Sequence, residues 1–358
     1  MLKFITRRFA YGLLVLFGVI TVVFFLFNVL PGDPARMMLG QRADITSVEA
    51  IRHELGLDRP MYKQYLHYLN DISPISLHRN DATESLVYLD ENTYSFVPLV
   101  SISHYTMVLK APYLRRSYQS NRSVTEILMT AFPNTLLLAS VSILFAMVAG
   151  IILGTFVALQ RNPVLSRSTL VFSVLGMSLP SFFAAIIIAW LFAYLLGDFT
   201  GLSMTGSLLE VDDFGRGEYI EWKNIILPAL TLGIRPLAIV TELTRSSLNK
   251  VMALDYIRTA RAKGLSEYRV ISRHAMKNAL NPVITATSGW FASLMAGAVF
   301  VEYVFDWKGV GVVVVDALEH YDFPVLMGAV LLISVVLVCI NILVDIIYAW
   351  LDPRIRLQ

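Results

Sequence analysis

Charge is scarce in this chain. Only 16% of its 358 residues are charged against 56% apolar, and a mean hydropathy of +0.62 is too high for a soluble domain of this length to keep its surface in water. The net charge of +2 supplies no basic field for nucleic acid. Cysteine is nearly absent: Cys339 stands alone, which excludes an intrachain disulfide framework and a multi-cysteine metal site. Lying in an apolar run, it is expected to be a small packed side chain. The six histidines are scattered without metal-ligand spacing. No Gly-x-x-x-x-Gly-Lys-Ser/Thr loop occurs, so the chain cannot by itself bind ATP in that way. The lack of His-Glu-x-x-His and Gly-x-Ser-x-Gly removes the best sequence grounds for an intramembrane protease or lipase. No cofactor is implied.

Long apolar runs are what the chain has in abundance. A helix rising 1.5 Å per residue needs about 20 residues to cross roughly 30 Å of hydrocarbon. Such runs lie at about Phe9 to Leu30, Thr135 to Leu159, Thr169 to Leu196, Ile225 to Leu248, Val283 to Phe305 and Val325 to Leu351. The first is too long for a signal-peptide core and reads as a retained helix. The fold class is therefore an all-α polytopic membrane protein with about six spans.

Lys and Arg set the orientation, because cytoplasmic flanks retain positive charge. Lys3, Arg7 and Arg8 precede span one, Arg161 and Arg167 follow span two, and Arg354 and Arg356 follow span six. Arg245, Lys250, Arg258, Arg261, Lys263, Arg269, Arg273 and Lys277 cluster between spans four and five. The opposite loops carry mainly Asp and Glu beside Arg216, Lys223 and Lys308. Both termini are thus expected in the cytoplasm and Pro31 to Phe132 outside. The domain reading is a first helix over 1–30, an extracytoplasmic segment over 31–132, a five-helix core over 133–351 with a cytoplasmic loop at 249–281, and a tail over 352–358. Within the external segment, Glu49 to Leu57 reads as a short amphipathic helix stopped by Gly56 and Pro60. Ser76 to Pro112, rich in Tyr, Val, Thr and Ser, reads as strands or irregular structure.

The loop between spans four and five is the most informative stretch. In Asp255-Tyr-Ile-Arg-Thr-Ala-Arg-Ala-Lys-Gly264-Leu-Ser266, Asp255 is placed to N-cap a short helix and Gly264 to end it in the left-handed conformation. Ser266 is placed to cap a second helix running to Asn281, ahead of Pro282. On the first helix Leu254, Ile257, Ala260 and Ala262 form a narrow ridge, judged too short to bury itself in its own subunit. It suits a groove on another protein or a membrane surface, and spacing does not choose between them. Arg269, Arg273 and Lys277 form a cationic stripe suited to lipid headgroups.

This loop resembles the cytoplasmic loop of ABC-importer permeases, most closely the dipeptide/oligopeptide branch, through the stretch just quoted and through His274-Ala-Met-Lys-Asn-Ala-Leu280. The resemblance continues in Leu30-Pro-Gly-Asp-Pro-Ala35, Leu57-Asp-Arg-Pro60 with Gln64-Tyr65 and Tyr68-Leu69, Phe132-Pro-Asn-Thr-Leu136, Ser178-Leu-Pro-Ser-Phe182 and Asp352-Pro-Arg-Ile-Arg356. Residues of about 76–114 match nothing in that pattern and look like an insertion. The resemblance implies a type I importer permease architecture. It also implies that the short helix, with Leu254, Ile257, Ala260 and Gly264, docks on an ATPase subunit. The expected partners are a second homologous permease, one or two ATPase subunits, an extracytoplasmic substrate-binding protein and the lipid bilayer, with peptides as leading cargo and nickel chelates or other small solutes as alternatives. A secondary transporter or channel acting alone is the rival reading; it predicts inverted repeats or midplane rings of charge, and the sequence has neither.

Polar residues inside the spans are the remaining candidates. Pro180 and Pro236 are each expected to kink their helices, which suits either a cavity-lining path or packing geometry alone. Arg235 and Glu242, about two turns apart on span four, read equally as translocation-path residues or as ion pairs to another helix. Glu302 and Asp345 read as interfacial.

Overall fold

The computed structural model of the chain describes residues 2–29, 35, 44–54, 56–79, 88–89, 94–160, 163–212, 215 and 217–351. Leu30 to Pro34, Leu55, Arg161, Arg216 and Asp352 to Gln358 lie outside the described residues. Helix α1 (Leu2–Val29) is followed by α2 (Ile45–Glu54) and α3 (Met61–Ile72), then by strands β1 (Ile75–Arg79), β2 (Phe96–Ile102) and β3 (Tyr105–Lys110). Next come α4 (Val124–Leu159), α5 (Pro163–Ser178), α6 (Ser181–Ile188, continued by a π-wound Ala189–Leu195), α7 (Gly197–Thr200) and a small pair, β4 (Leu209–Val211) and β5 (Glu218–Ile220). Helix α8 (Ile226–Met252) leads to α9 (Asp255–Ala262), α10 (Glu267–Arg269), a π-wound Val270–Ala275 and α11 (Met276–Ala279). The chain ends with α12 (Asn281–Gly297), α13 (Val299–Phe305), α14 (Val310–Glu319) and α15 (Phe323–Leu351).

Four helices are long and apolar enough to cross a membrane, namely Thr6–Asn28, Val124–Leu159, Trp222–Met252 and Phe323–Ile346. Two bent pairs, Ser166–Ser178 with Ser181–Leu195 and Asn281–Gly297 with Val299–Phe305, bring the number to as many as six when each pair is counted as one span. These are the six runs expected from hydropathy, with corrected ends. The second opens at Val124 rather than Thr135 and passes through Pro133. The helix after Ser266 stops at Ala279, and the fifth span starts at Asn281.

The two span prolines behave differently. At Pro180 the helix breaks: Leu179 N–H closes the last turn on Leu175, Pro180 is extended at ψ 138°, and α6 departs at 109°. A proline disfavours helical backbone in the residue before it. Pro236, by contrast, lies inside the continuous helix α8 and is itself buried. Packing on both sides carries α8 through. A Cβ at Gly154 of α4 would stand 2.5 Å from the Thr241 carbonyl oxygen, and one at Gly150 would stand 2.7 Å from Val240 Cγ1. Close backbone approach through small residues is how helices associate where lipid offers no hydrophobic drive.

The chain divides into two compact units, one of Met1–Arg8, Ala131–Val312 and Val336–Gln358, the other of Phe9–Thr130 and Val313–Val335. The first is centred on Leu138, Ile188, Leu227, Leu294, Phe305 and Trp307. Within it Arg8 of α1 pairs with Asp345 of α15 at 3.0 Å; Asp345 is thus an ion-pair partner. Cys339 is exposed on α15 rather than packed.

In the second unit, α3 packs along α1: Phe24 meets Tyr65 and Tyr68, and Thr21 and Tyr65 share a 2.7 Å hydrogen bond. Helix α3, which begins where Pro60 was expected only to end a helix, was not foreseen. The strands form an antiparallel sheet in the order β1-β3-β2. Its register aligns Ile75, Leu109 and Val97 in one row and Leu77, Met107 and Val100 in the next, with Tyr105 opposite Ile102 beyond. All eight face outward, between 41% and 71% exposed, whereas Ser76, His78, Thr106 and Lys110 are buried on the other side. Under that polar face lies Asp71, 1% exposed, which accepts from Tyr94 Oη at 2.9 Å and Arg115 Nε at 3.1 Å and pairs with His67 Nε2 at 3.4 Å. Burial holds the His67 and Lys110 pKa values below their ordinary levels, opposed in both by Asp71.

Candidate functional site

The loop between α8 and α12 forms three short turns of helix pinned to one another. Leu254, extended at ψ 151°, occupies the N-cap position of α9, and Asp255 is its first helical residue. The expected Asp255 cap is therefore shifted by one, and its carboxylate instead takes Arg258 Nη1 at 3.3 Å. Gly264 ends α9 at φ +75°, the left-handed conformation expected of it. Ser266 holds the N-cap position of α10, at ψ 148°, without a side-chain cap bond. Across this corner Arg261 grips Glu267 with two hydrogen bonds, 2.8 and 3.3 Å. Tyr256 Oη receives Asn278 Nδ2 at 2.9 Å and so ties α9 to α11.

The apolar ridge of α9 is not left for another protein. Ile257 is 0% and Ala260 6% exposed, packed with Leu248, Val251, Val270, Ala275 and Ala279 of the same chain. This corrects the expectation that the ridge is too short to be buried in its own subunit. A π-wound segment next to α9 supplies the cover, which sequence periodicity on α9 could not reveal. The exposed residues of this stretch are Leu254 (48% exposed), Asp255, Tyr256, Arg258, Thr259, Arg261, Ala262, Lys263 and Gly264. Arg269, Arg273 and Lys277 are likewise exposed.

In the membrane bundle, Glu242 pairs with Arg245 of its own helix, at 2.9 and 2.6 Å, and Arg245 reaches Ser166 at 3.3 Å. Among the described residues, the ion pair of Glu242 is thus to its own helix rather than to another. Arg235 is exposed and, among the described residues, has no carboxylate partner. It lines a cavity of about 60 Å³ with Leu179, Ser181, Trp290, Ser293 and Gly297, directly beside the break at Pro180. A larger groove of about 310 Å³ lies between α4, α5 and α8, bounded by Phe172, Ser173, Leu237 and Thr241. Arg235 thus lines a hollow whose wall includes Leu179 and Ser181, the neighbours of Pro180, while Glu242 belongs to a separate ion pair.

Glu302 is not interfacial but fully buried. Its carboxylate accepts Gly311 N–H at 2.6 Å. Gly309 and Gly311 make room for it, since a Cβ at either would lie about 2.5 Å from its oxygens. Around it Trp307 Nε1 donates to Asn134 O at 3.0 Å, Asn134 Nδ2 to Lys308 O at 2.8 Å, and Val310 N–H to Thr135 Oγ1 at 2.8 Å. This clasp between the start of span two and the end of span five was missed. Its signal was the polar Asn134-Thr135 pair opening an otherwise apolar run.

Comparison with known families decides what this bundle is. Residues 150–357 match the family described as binding-protein-dependent transport system inner membrane component, and residues 1–84 match its N-terminal companion family. The chain belongs to the binding-protein-dependent transport permeases. It is 33% identical over its whole length to the di/tripeptide transport system permease protein DppB of Pseudomonas aeruginosa, also aligned over its whole length. It is 33% identical over 99% of both chains to the glutathione transport system permease protein GsiC of Escherichia coli. Among solved structures, the inward-facing MetNI methionine ABC transporter superposes with a TM-score of 0.51 at 15% identity, covering 64% of this chain and 97% of that one. That likeness concerns the fold. As an ABC-importer permease, the chain is a transport subunit of the membrane, and its polar clasp, bent spans and pinned loop are parts of a transport machine.

Proposed function

We propose that this permease pairs with a second, homologous permease to form a path for peptides, delivered by an extracytoplasmic binding protein and driven by ATPase subunits docked on the loop at 249–281. The observation that carries this reading is α9 itself, held rigidly by its buried ridge and its Tyr256 and Arg261 ties, with an outward face of Leu254, Arg258, Ala262 and Lys263. A lever must be stiff on one side and available on the other. The ATPase shifts the permease between states only if its affinity for the two differs, and α9 is where that difference is felt. In this reading Ile257 and Ala260 seat the helix, Gly264 turns the chain, and Leu254 makes the contact. Both termini and this loop lie in the cytoplasm in this reading, which the Arg8–Asp345 pair between α1 and α15 supports.

Peptide cargo is supported by the two relatives named for di/tripeptide and glutathione transport. Arg235 supplies matching chemistry, because a cation at membrane depth is retained where a cavity or an anion compensates it. The experiment is to purify the assembled complex and measure ATP hydrolysis with and without peptide-loaded binding protein. Copurifying ATPase subunits and stimulated hydrolysis are expected; an isolated chain that moves solute unaided supports the secondary-transporter reading.

A further inference from the structure

The three-stranded sheet is built inside out. Its inner face carries Ser76, His78, Thr106 and Lys110, with Val108 the apolar residue among them, buried over the Asp71 network, while its outer face is an apolar layer. A sheet bathed in water on one side places polar residues there and apolar ones against the core. Here the alternation is reversed, which is the pattern of a surface whose surroundings are less polar than its own interior.

We propose that this face, together with the outward side of α3, is seated in the bilayer leaflet that holds the C-terminal half of α1. The surface is continuous with a membrane-spanning one. Phe25, an exposed residue of span one, touches Tyr65 with ring centroids 5.5 Å apart, and Tyr62 and Leu66 on the neighbouring turn of α3 are exposed in turn. Helix α3 is then joined to the sheet by Asn70, whose side chain exchanges two hydrogen bonds with the Leu77 backbone, 2.9 and 3.1 Å. At the corner of the face Arg79 lies 5.8 Å from the Tyr105 ring centre. An aromatic ring and a cation together are the residue types that settle at the headgroup level. Among the described residues, the paired rows of this face hold no other polar side chain, whereas protein interfaces carry about one hydrogen bond per 100–200 Å². A soluble binding protein that comes and goes would return this layer to water in every cycle. Lipid covers it permanently.

The test places a nitroxide label at single cysteines in the full chain, with Cys339→Ser as background, in phospholipid nanodiscs. Labels at Leu77, Val100 and Met107 are compared with Val22 on span one and Ser103 at the β2–β3 turn. Collisions with oxygen, which concentrates in hydrocarbon, and with a water-soluble nickel complex are measured at each. A balance favouring oxygen at Leu77, Val100 and Met107, shifted as at Val22 and reversed at Ser103, is the expected result. Access to the nickel complex at the three sites overturns the proposal in favour of a water-exposed face. Labels shielded from both reagents overturn it in favour of a second permease copy. Shielding that appears only when binding protein is added identifies that protein as the occupant. Using three separate sites guards against one variant failing to fold.

Discussion

Replacing Leu254 with aspartate separates the seat of α9 from its working face. Leu254 stands at the N-cap position, extended and 48% exposed. Aspartate is among the best N-cap residues, and its charge favours the positive end of the helix. The substitution is therefore expected to leave the stability of the isolated permease within about 0.5 kcal/mol. In an apolar contact with an ATPase subunit the same carboxylate is buried without a partner, at a cost of several kcal/mol. Even about 3 kcal/mol weakens association by roughly a hundredfold. Ile257→Ala is the contrasting case. It removes three carbons from a site with no exposure, worth ~2.4 kcal/mol in transfer at about 0.8 kcal/mol per methylene, and the cavity left behind brings the cost to about 3–4 kcal/mol. Leu254→Asp should keep its thermal unfolding midpoint while ATPase copurification and binding-protein-stimulated hydrolysis collapse, whereas Ile257→Ala should lower the midpoint as well. Full stimulated hydrolysis with Leu254→Asp refutes the assignment of the outward face. Ala260→Glu, by this geometry, damages the chain's own packing and is not a clean probe of coupling.

Gly154→Val forces branched carbons against the Thr241 carbonyl, which as backbone cannot swing aside; a loss of about 1–3 kcal/mol or more is expected, seen as a lowered unfolding midpoint in detergent. A tolerated valine would show that α4 and α8 do not approach so closely. His67 has a folded pKa depressed mainly by burial, with Asp71 opposing and Arg115, His78 and Lys110 reinforcing. Its contribution is therefore complete above the unfolded value near about pH 6.5 and declines as pH falls below it, where the unfolded chain takes up the proton first. Hydrogen exchange in α3, corrected for intrinsic rates, should rise from pH 7 toward 5 (about one and a half units below that value), and His67→Gln should flatten this dependence; an unchanged slope assigns it elsewhere. In a Cys339→Ser background, an impermeant thiol reagent applied outside should mark a cysteine at Ser103 and spare one at Lys263, and the reverse pattern inverts the orientation.

Much of the fold could be read from the residues because lipid imposes a coarse rule: twenty apolar residues make a span, and the six such runs became four long helices and two bent pairs. Gly264 was equally legible, since a glycine closing a short helix ahead of a new cap has one conformation to offer. What escaped were features set by tertiary neighbours. The ridge of Ile257 and Ala260 is amphipathic whatever covers it, and only the fold shows that Val270, Ala275 and Ala279 do. Pro180 and Pro236 look alike in sequence, yet one breaks its helix and the other is carried through by flanking helices. Glu302 near the end of a run reads as interfacial until Gly309 and Gly311 are seen to wrap it. The strands were foreseen, but their polarity was not, because alternation does not say which face is inside.

The central claim, that this chain is the membrane path of an ATP-driven peptide importer, is tested most directly by uptake of a labelled dipeptide into vesicles containing the reconstituted complex. Accumulation should require ATP and the binding protein together, and should survive collapse of ion gradients by ionophores. Accumulation without ATP, or accumulation abolished by ionophores while ATP is present, would contradict the account.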